Sequence, residues 1–432
     1  MEKLGEGTYN KAFKLTMAND KTLVARIPNP NAGPDFLTTA SEVATMDFLI
    51  SVLHVPVPKV LAWSSRSGPT SPVGSDYIVM EHAPGTQLAF VWPDMEDKCN
   101  KQTIEDIVDI QHKLISVRFS HLDSYGCLYF SEDAPPVSHP AMLSGDDLSH
   151  AFKKNVADKF SIRPMVNAKF WNKERAHMNI DRGPWTSALG SIQAPALREI
   201  SWLEKHADPN PIEELVMPSH NTYPPTEHIT VIQRYLPLTP YLLPSEKDIA
   251  GAFLCRADMS SANIFVDDDG NITSIIDWQS SAACPLFVGG RPPRFLDYRG
   301  EQMLYIYNDY TEERNLLLHK VYSYTGGRLL WDPISIVGST WDGDVLTLRE
   351  TLIRVQKHGE LFNRPGECPE GWNGIQDMWD SIEHFLDRDG WTSNETYENA
   401  ESIYDDIKGF QDSQSKGQEK ENKTRKAQSG HE

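Results

Sequence analysis

Residues 255–279 read CRADMSSANIFVDDDGNITSIIDWQ, and the fold turns on how this stretch is read. Two apolar runs, Ile264-Phe265-Val266 and residues 272–276, flank Asp267-Asp268-Asp269-Gly270-Asn271. Asp-Gly between β-rich runs signals a hairpin. Such a hairpin holds Asp258 and Asn263, which precede it, near Asp277, which follows it. The order D-x4-N-x13-D suits phosphoryl transfer. One carboxylate orients the attacking hydroxyl, while an amide oxygen and a second carboxylate take the metal that bridges phosphates. Asp267 to Asp269 read as a solvated turn. Asp277 differs because it ends the apolar run Ser274-Ile275-Ile276 and precedes Trp278. A buried carboxylate without a partner is costly, so an ion pair or a metal is expected there.

Upstream, residues 3–15 read KLGEGTYNKAFKL. Gly5-x-Gly7, followed by Thr8 and Tyr9 between short β-like runs, has the form of a loop folded over phosphates. Glycine there lets backbone N–H groups approach an anion with no Cβ in the way. Residues 22–27, TLVARI, alternate as a strand and put Val24 and Arg26 on one face. Arg26 is the candidate cation for the α- and β-phosphates. Residues 36–53 predict a helix with Val43, Met46, Ile50 and Leu53 as an apolar stripe. Thr39-Ala40-Ser41-Glu42 has the form of a capping box, and Glu42 also stands where it would pair with Arg26. The strand YIVME at 77–81 runs into His82-Ala83-Pro84-Gly85, a breaker-rich segment that fits a hinge between lobes.

Beyond the hinge the pattern is mostly helical. Residues 104–115 form an amphipathic segment, residues 128–130 a short β run, and residues 145–205 a helical insert carrying Trp171, Trp185 and Trp202. Tryptophans so placed read as core before they read as a substrate platform. A polar, proline-rich connector at 209–225 leads back to the central hairpin. Residues 411–432 contain a single aliphatic residue, Ala427, and are expected to be disordered because they cannot offset chain entropy by burial.

Composition narrows the partners. A net charge of -20 argues against a general nucleic-acid binder, which needs a basic face. Five cysteines without a CxxC pair or histidines at zinc spacing argue against a disulfide framework and a structural zinc. No apolar run approaches the length of a membrane span, and no signal peptide or Arg-rich presequence opens the chain.

The order of these features resembles the protein kinase-like superfamily. Its details resemble the aminoglycoside phosphotransferase branch, whose catalytic loop reads H-x-D-x4-N and whose metal strand ends in IDW, as at Ile276-Asp277-Trp278. The stretches EGTYNKAF, VARIP, ASEVATMDFL, DRGPW, ANIFV and IIDWQ look like the fungal group around altered inheritance of mitochondria protein 9. The resemblance covers roughly residues 3–395. It implies an α+β, bilobal protein kinase-like fold: a small antiparallel-sheet N-lobe with one helix over residues 1–84, and a large, mainly helical C-lobe over 85–400. It implies ATP and Mg²⁺, with Asp258 as the base-like residue and Asn263 and Asp277 as metal ligands. Gly5, Gly7, Thr8 and Tyr9 become the phosphate loop, Arg26 and Glu42 the phosphate-positioning pair, and the backbone at Glu81 and His82 the adenine contact.

The acceptor is then expected to be a small-molecule hydroxyl, and the location mitochondrial. The alternative is a nucleotide-binding scaffold that has lost turnover. That alternative rests on Arg256, which stands where the resemblance expects histidine. Its guanidinium is expected either to pair with Asp258 and slow the chemistry or to reach solvent. The chain also opens almost at the phosphate loop, without the strand and targeting segment expected ahead of it. Oligomeric state is left open.

Overall fold

The computed structural model describes residues 1–65, 73–119, 124–133, 138–145, 148–208, 223–256, 258–299, 301–342 and 345–357. The tail expected to be disordered, Trp372, Trp379 and Trp391, and most of the 209–225 connector lie outside the described residues.

Five strands form the first sheet: β1 (Glu2–Glu6), β2 (Asn10–Thr16), β3 (Thr22–Pro28), then, after helix α1 (Leu37–Ser51), β4 (Val60–Ser64) and β5 (Tyr77–Glu81). Their order is β1-β2-β3-β5-β4, and every pairing is antiparallel. The next segment holds β6 (Thr86–Gln87), the short α2 (Leu88–Val91) and the long α3 (Asp97–Leu114). This small antiparallel sheet with one helix, followed by a larger and mostly helical region, is the bilobal, protein kinase-like arrangement that the sequence predicts.

The larger lobe also contains strands that periodicity did not mark. They are β7 (Arg118–Phe119), β9 (His139–Pro140), β10 (Leu143–Ser144) and, after α4 (His150–Lys159), β11 (Phe160–Arg163), whereas the β run expected at 128–130 lies in β8 (Gly126–Phe130). Helices α5 (Ala188–His206), α6 (Pro225–Tyr235) and α7 (Thr239–Leu242) precede β12 (Ala252–Cys255), the hairpin β13 (Ile264–Val266) and β14 (Ile272–Ile275), and β15 (Ala282–Pro285). Seven of these strands join as β10-β7-β12-β15-β8-β11-β9. The hairpin pairs separately with β6. The chain then adds α8 (Leu286–Gly289), α9 (Glu301–Arg314), α10 (Leu316–Tyr322), α11 (Gly327–Ile336) and α12 (Val345–Lys357). Among the described residues no helix is long and apolar enough to cross a membrane.

The seven-stranded sheet changes the reading of α1. A single apolar stripe was expected. Instead Thr38 to Met46, Phe48 and Leu49 are all buried, because the helix packs on β4 and β5 on one side and on β8 on the other. Phe48 meets Phe160 edge-on at 5.3 Å and Phe119 at 5.8 Å. The hairpin is fixed from the opposite side. Ile264 and Val266 pack in one cluster with Ile104, Ile107 and Val108 of α3. Gly270 sits at φ 86° against the backbone of Cys99, where any Cβ would clash.

In the insert, α4 and α5 are present, with β11 between them. Of its tryptophans Trp185 and Trp202 are buried as core, and Trp171 is half-buried. The indole N–H of Trp185 donates to Asp181, and that of Trp202 donates to Glu174.

Candidate active site

Arg26 lies on β3 with both ends of its guanidinium engaged. Nη2 pairs with Glu42, and Nη1 donates to Asp277 Oδ1 at 3.2 Å across 251 residues of sequence. Arg26 and Glu42 are both buried. Helix α1 starts at an N-cap of Phe36 with no side-chain cap, so Glu42 lies past the first turn and acts as an ion-pair partner rather than in a capping box. Burial pushes the Glu42 carboxyl up to about 7; the Arg26 guanidinium opposes this, and Asp277 adds to it.

Asp277 is held in an unusual backbone state. Ile276 N–H donates to Asn263 carbonyl at 2.9 Å, continuing the hairpin ladder one residue past β14. The next residue, Asp277, turns out of the ladder with φ 60°, in the left-handed region. For a residue other than glycine this costs on the order of 1–3 kcal/mol and persists only where the surroundings enforce it. Here Arg26 takes the side chain, and Arg256 takes the backbone.

Arg256 therefore does neither of the two things expected of it. Its Nη2 donates to the carbonyls of Ile276 at 2.6 Å and Asp277 at 3.2 Å. Its guanidinium also stacks over Trp278 at 4.7 Å. Among the described residues it makes no hydrogen bond to Asp258, whose partners are Ser260 and Asn263. Burial pushes the guanidinium down to about 10, against the fields of Asp277 and Asp258. Hydrogen bonds to charged groups contribute about 1.5–3 kcal/mol. Arg256→Met is accordingly expected to lose that much unfolding free energy, and Arg256→His, which retains one donor, to lose less. Matching urea midpoints for parent and methionine variant would remove this role.

Asp258 is exposed, and its Oδ2 accepts from Asn263 Nδ2 at 3.1 Å and from Ser260 Oγ at 3.3 Å. That contact uses the Asn263 amide nitrogen and leaves its carbonyl oxygen for a hard cation. Asp277 likewise retains a carboxylate oxygen beyond the one bound by Arg26, on a side chain that is 41% exposed. An amide oxygen and a carboxylate fit Mg²⁺, which completes its shell with water and phosphate oxygens. Among the described residues no group of three or more His, Cys, Asp or Glu forms a closed metal cage.

The segment expected to fold over phosphates starts inside β1 at Gly5 and runs through Gly7, Thr8 and Tyr9 to β2. Gly7 N–H donates to Asn10 carbonyl at 2.9 Å, and Asn29 Nδ2 donates to the carbonyls of Gly7 and Thr8. A Cβ on Gly5 would meet nothing within 4 Å, and one on Gly7 only the Asn10 carbonyl at 4.0 Å. Neighbouring side chains therefore do not demand glycine at either position, and the β1/β2 register shifts between Lys3 and Gly5. Tyr9 is 44% exposed beside them. Glu81 ends β5 with its amide and carboxylate both engaged by the Lys59 backbone. His82 Nδ1 lies 2.9 Å from Ala83 O. Among the described residues neither Glu81 nor His82 bonds to the Arg26 cluster.

No family model matches the chain. A subtelomeric hrmA-associated cluster protein of Aspergillus fumigatus is 32% identical over 330 residues, covering 69% of this chain and 61% of that protein. The mitochondrial altered inheritance of mitochondria protein 9 of Lachancea thermotolerans is 25% identical, over 84% of this chain and 65% of its own length. That of Eremothecium gossypii is 24% identical, over 86% and 69%.

The chain is similar in sequence to the altered inheritance of mitochondria protein 9 group. It spans about three fifths of the length of its A. fumigatus relatives. Among solved structures it is similar to a thermostable aminoglycoside phosphotransferase APH(4)-Ia, at 15% identity and a TM-score of 0.41, covering 84% of this chain and 94% of the other. It is also similar to a putative fructosamine-3-kinase from Thermobifida fusca, at 12% identity and 0.42, covering 81% and 92%. At those scores no residue correspondence is carried over.

Sequence reading did not mark Asn10, Asn29 or Gln279. Asn10 Nδ2 donates to Gln279 Oε1 at 2.8 Å, and Gln279 Nε2 donates to Ala32 carbonyl at 2.7 Å. The start of β2 is thereby tied to the segment carrying Asp277. The one available signal was a polar residue directly after Trp278.

Proposed function

We propose that this chain transfers the γ-phosphate of ATP to a hydroxyl on a small-molecule acceptor, with Mg²⁺. The observation that carries the reading is Arg26, bonded at once to Glu42 and to Asp277, beside the Asp258–Asn263 pair. A glycine loop, a cation, a metal-type carboxylate and an exposed base-type carboxylate are the parts phosphoryl transfer requires, where catalysis is mainly positioning and charge. Arg26 sets the α- and β-phosphates, and the loop N–H groups cradle them. Asp258 orients the acceptor hydroxyl and takes its proton. Asn263 and Asp277 hold Mg²⁺, which when bound neutralises phosphate charge. The linker backbone at Glu81 and His82 takes adenine. A mitochondrial location belongs to the same reading, supported by the names of the relatives and testable by fractionation of the tagged full chain.

The test is Mg-ATP binding by calorimetry and thermal shift. Asp277→Ala is expected to lose most of the metal-dependent affinity. Equal Mg-ATP affinity in variant and parent would overturn the metal assignment. The second reading, a nucleotide-binding scaffold without turnover, is favoured by Arg256 in place of histidine. Metal-dependent ATP binding with no transfer across an acceptor screen would select it.

A further inference from the structure

Behind the loop that carries Asp258 lies a cavity of about 40 Å³, walled by Gln111 of α3, Met259, Leu286, Leu318 and two arginines, Arg256 and Arg291. Among the described residues these arginines are the only charged side chains lining it. Arg256 spends Nη2 on the carbonyls of Ile276 and Asp277, but its Nε and Nη1 are buried with no hydrogen-bond partner in the protein. Arg291 donates Nη2 to Phe287 carbonyl and stacks on Trp331 at 4.2 Å, while its Nε is likewise buried without a partner. The fields of Asp277, Asp258 and Glu42 reach Arg256, and those of Tyr322 and Asp332 reach Arg291, yet none of these groups accepts from the free nitrogens.

Two desolvated cations facing one cavity, with no acid in its wall, is an expensive arrangement without an anion to offset it. Burial lowers both guanidiniums to about 10. Guanidinium N–H groups match the lone pairs of carboxylate and phosphate oxygens. The volume exceeds the roughly 10–15 Å³ that one water needs and suits a small polyatomic anion. We propose that this cavity is a binding site for a small oxyanion, of carboxylate or phosphate type, held between Arg256 and Arg291.

The test is isothermal titration of the full chain with inorganic phosphate and, separately, with acetate, in a low-chloride buffer without nucleotide. The outcome is thus independent of phosphotransfer. The parent is expected to bind one equivalent of at least one of the two anions, and which one binds more tightly identifies the ligand type. Arg291→Met is expected to weaken binding tenfold or more and Arg291→Lys to weaken it less, while Lys11→Met, on β2 opposite Glu6, leaves it unchanged. Should Arg291→Met not fold, Arg256→His carries the same expected loss. Absence of binding by either anion, equal affinity in the cavity variants, or loss confined to Lys11→Met would each overturn the site.

Discussion

Asp258→Asn is expected to lower phosphoryl transfer, or ATP hydrolysis without acceptor, by about a hundredfold or more, the scale of a lost acid–base group. Mg-ATP affinity is expected to stay within a few-fold. The split follows from where Asp258 sits. It is exposed, and its contacts are Asn263 Nδ2 and Ser260 Oγ, not the Arg26 cluster. An asparagine oxygen still accepts both of those bonds, so the loop keeps its shape while the proton acceptor is gone. Single-turnover rates alongside calorimetric affinities make the measurement. Matching rates for the two proteins would retire Asp258 as the base.

Arg26→Met is expected to destabilise the fold in a way that depends on pH. Removing one partner of a buried ion pair typically costs about 3–5 kcal/mol, because a charge is left alone. Glu42 has a way out, since it can take up a proton. Its carboxyl already lies raised from 4.5 to about 7 in the parent. The native state therefore binds more protons than the unfolded state across that window, and parent stability falls as pH rises through it, then levels off. Without Arg26 the carboxyl titrates still higher, so the variant continues to lose stability where the parent no longer does. The gap between them should widen by up to about 1.4 kcal/mol per pH unit above about 7. Urea unfolding at pH values near 6 and near 8.5 reads this directly. A gap that does not change with pH would show that Glu42 is not the buried partner that matters.

The parts of this arrangement that were legible in the sequence are those written in side-chain pattern. Asp-Gly between Ile264-Phe265-Val266 and the run ending at Ile275 specified the hairpin, and with it the nearness of Asp258, Asn263 and Asp277. Alternation in TLVARI placed Arg26 on a strand, and the order of elements offered Glu42 as its partner. The seven-stranded sheet was hidden because its members are two to five residues long, too short for a period to register, and their neighbours in space are distant in the chain. The stripe assigned to α1 is buried at Val43, Met46 and Leu53 but was incomplete for the same reason: nothing in the helix itself announces the second sheet that buries its other side. Arg256 was misjudged because its partners are carbonyls, and every residue has one. Gln279 was missed because its partner Asn10 lies 269 positions away.

The enclosure of α1 bears on how such a protein can be governed. In phosphotransferases where the helix bearing the acidic partner is free on one side, displacing that helix breaks the ion pair and silences the site. Here the helix is clasped between β4 and β5 on one side and β8 on the other, with Phe48 locked among aromatic rings. Withdrawing Glu42 from Arg26 would mean prising apart two sheets, an opening close in cost to global unfolding rather than a local fluctuation. A transferase of the kind proposed would have no off-position at this helix.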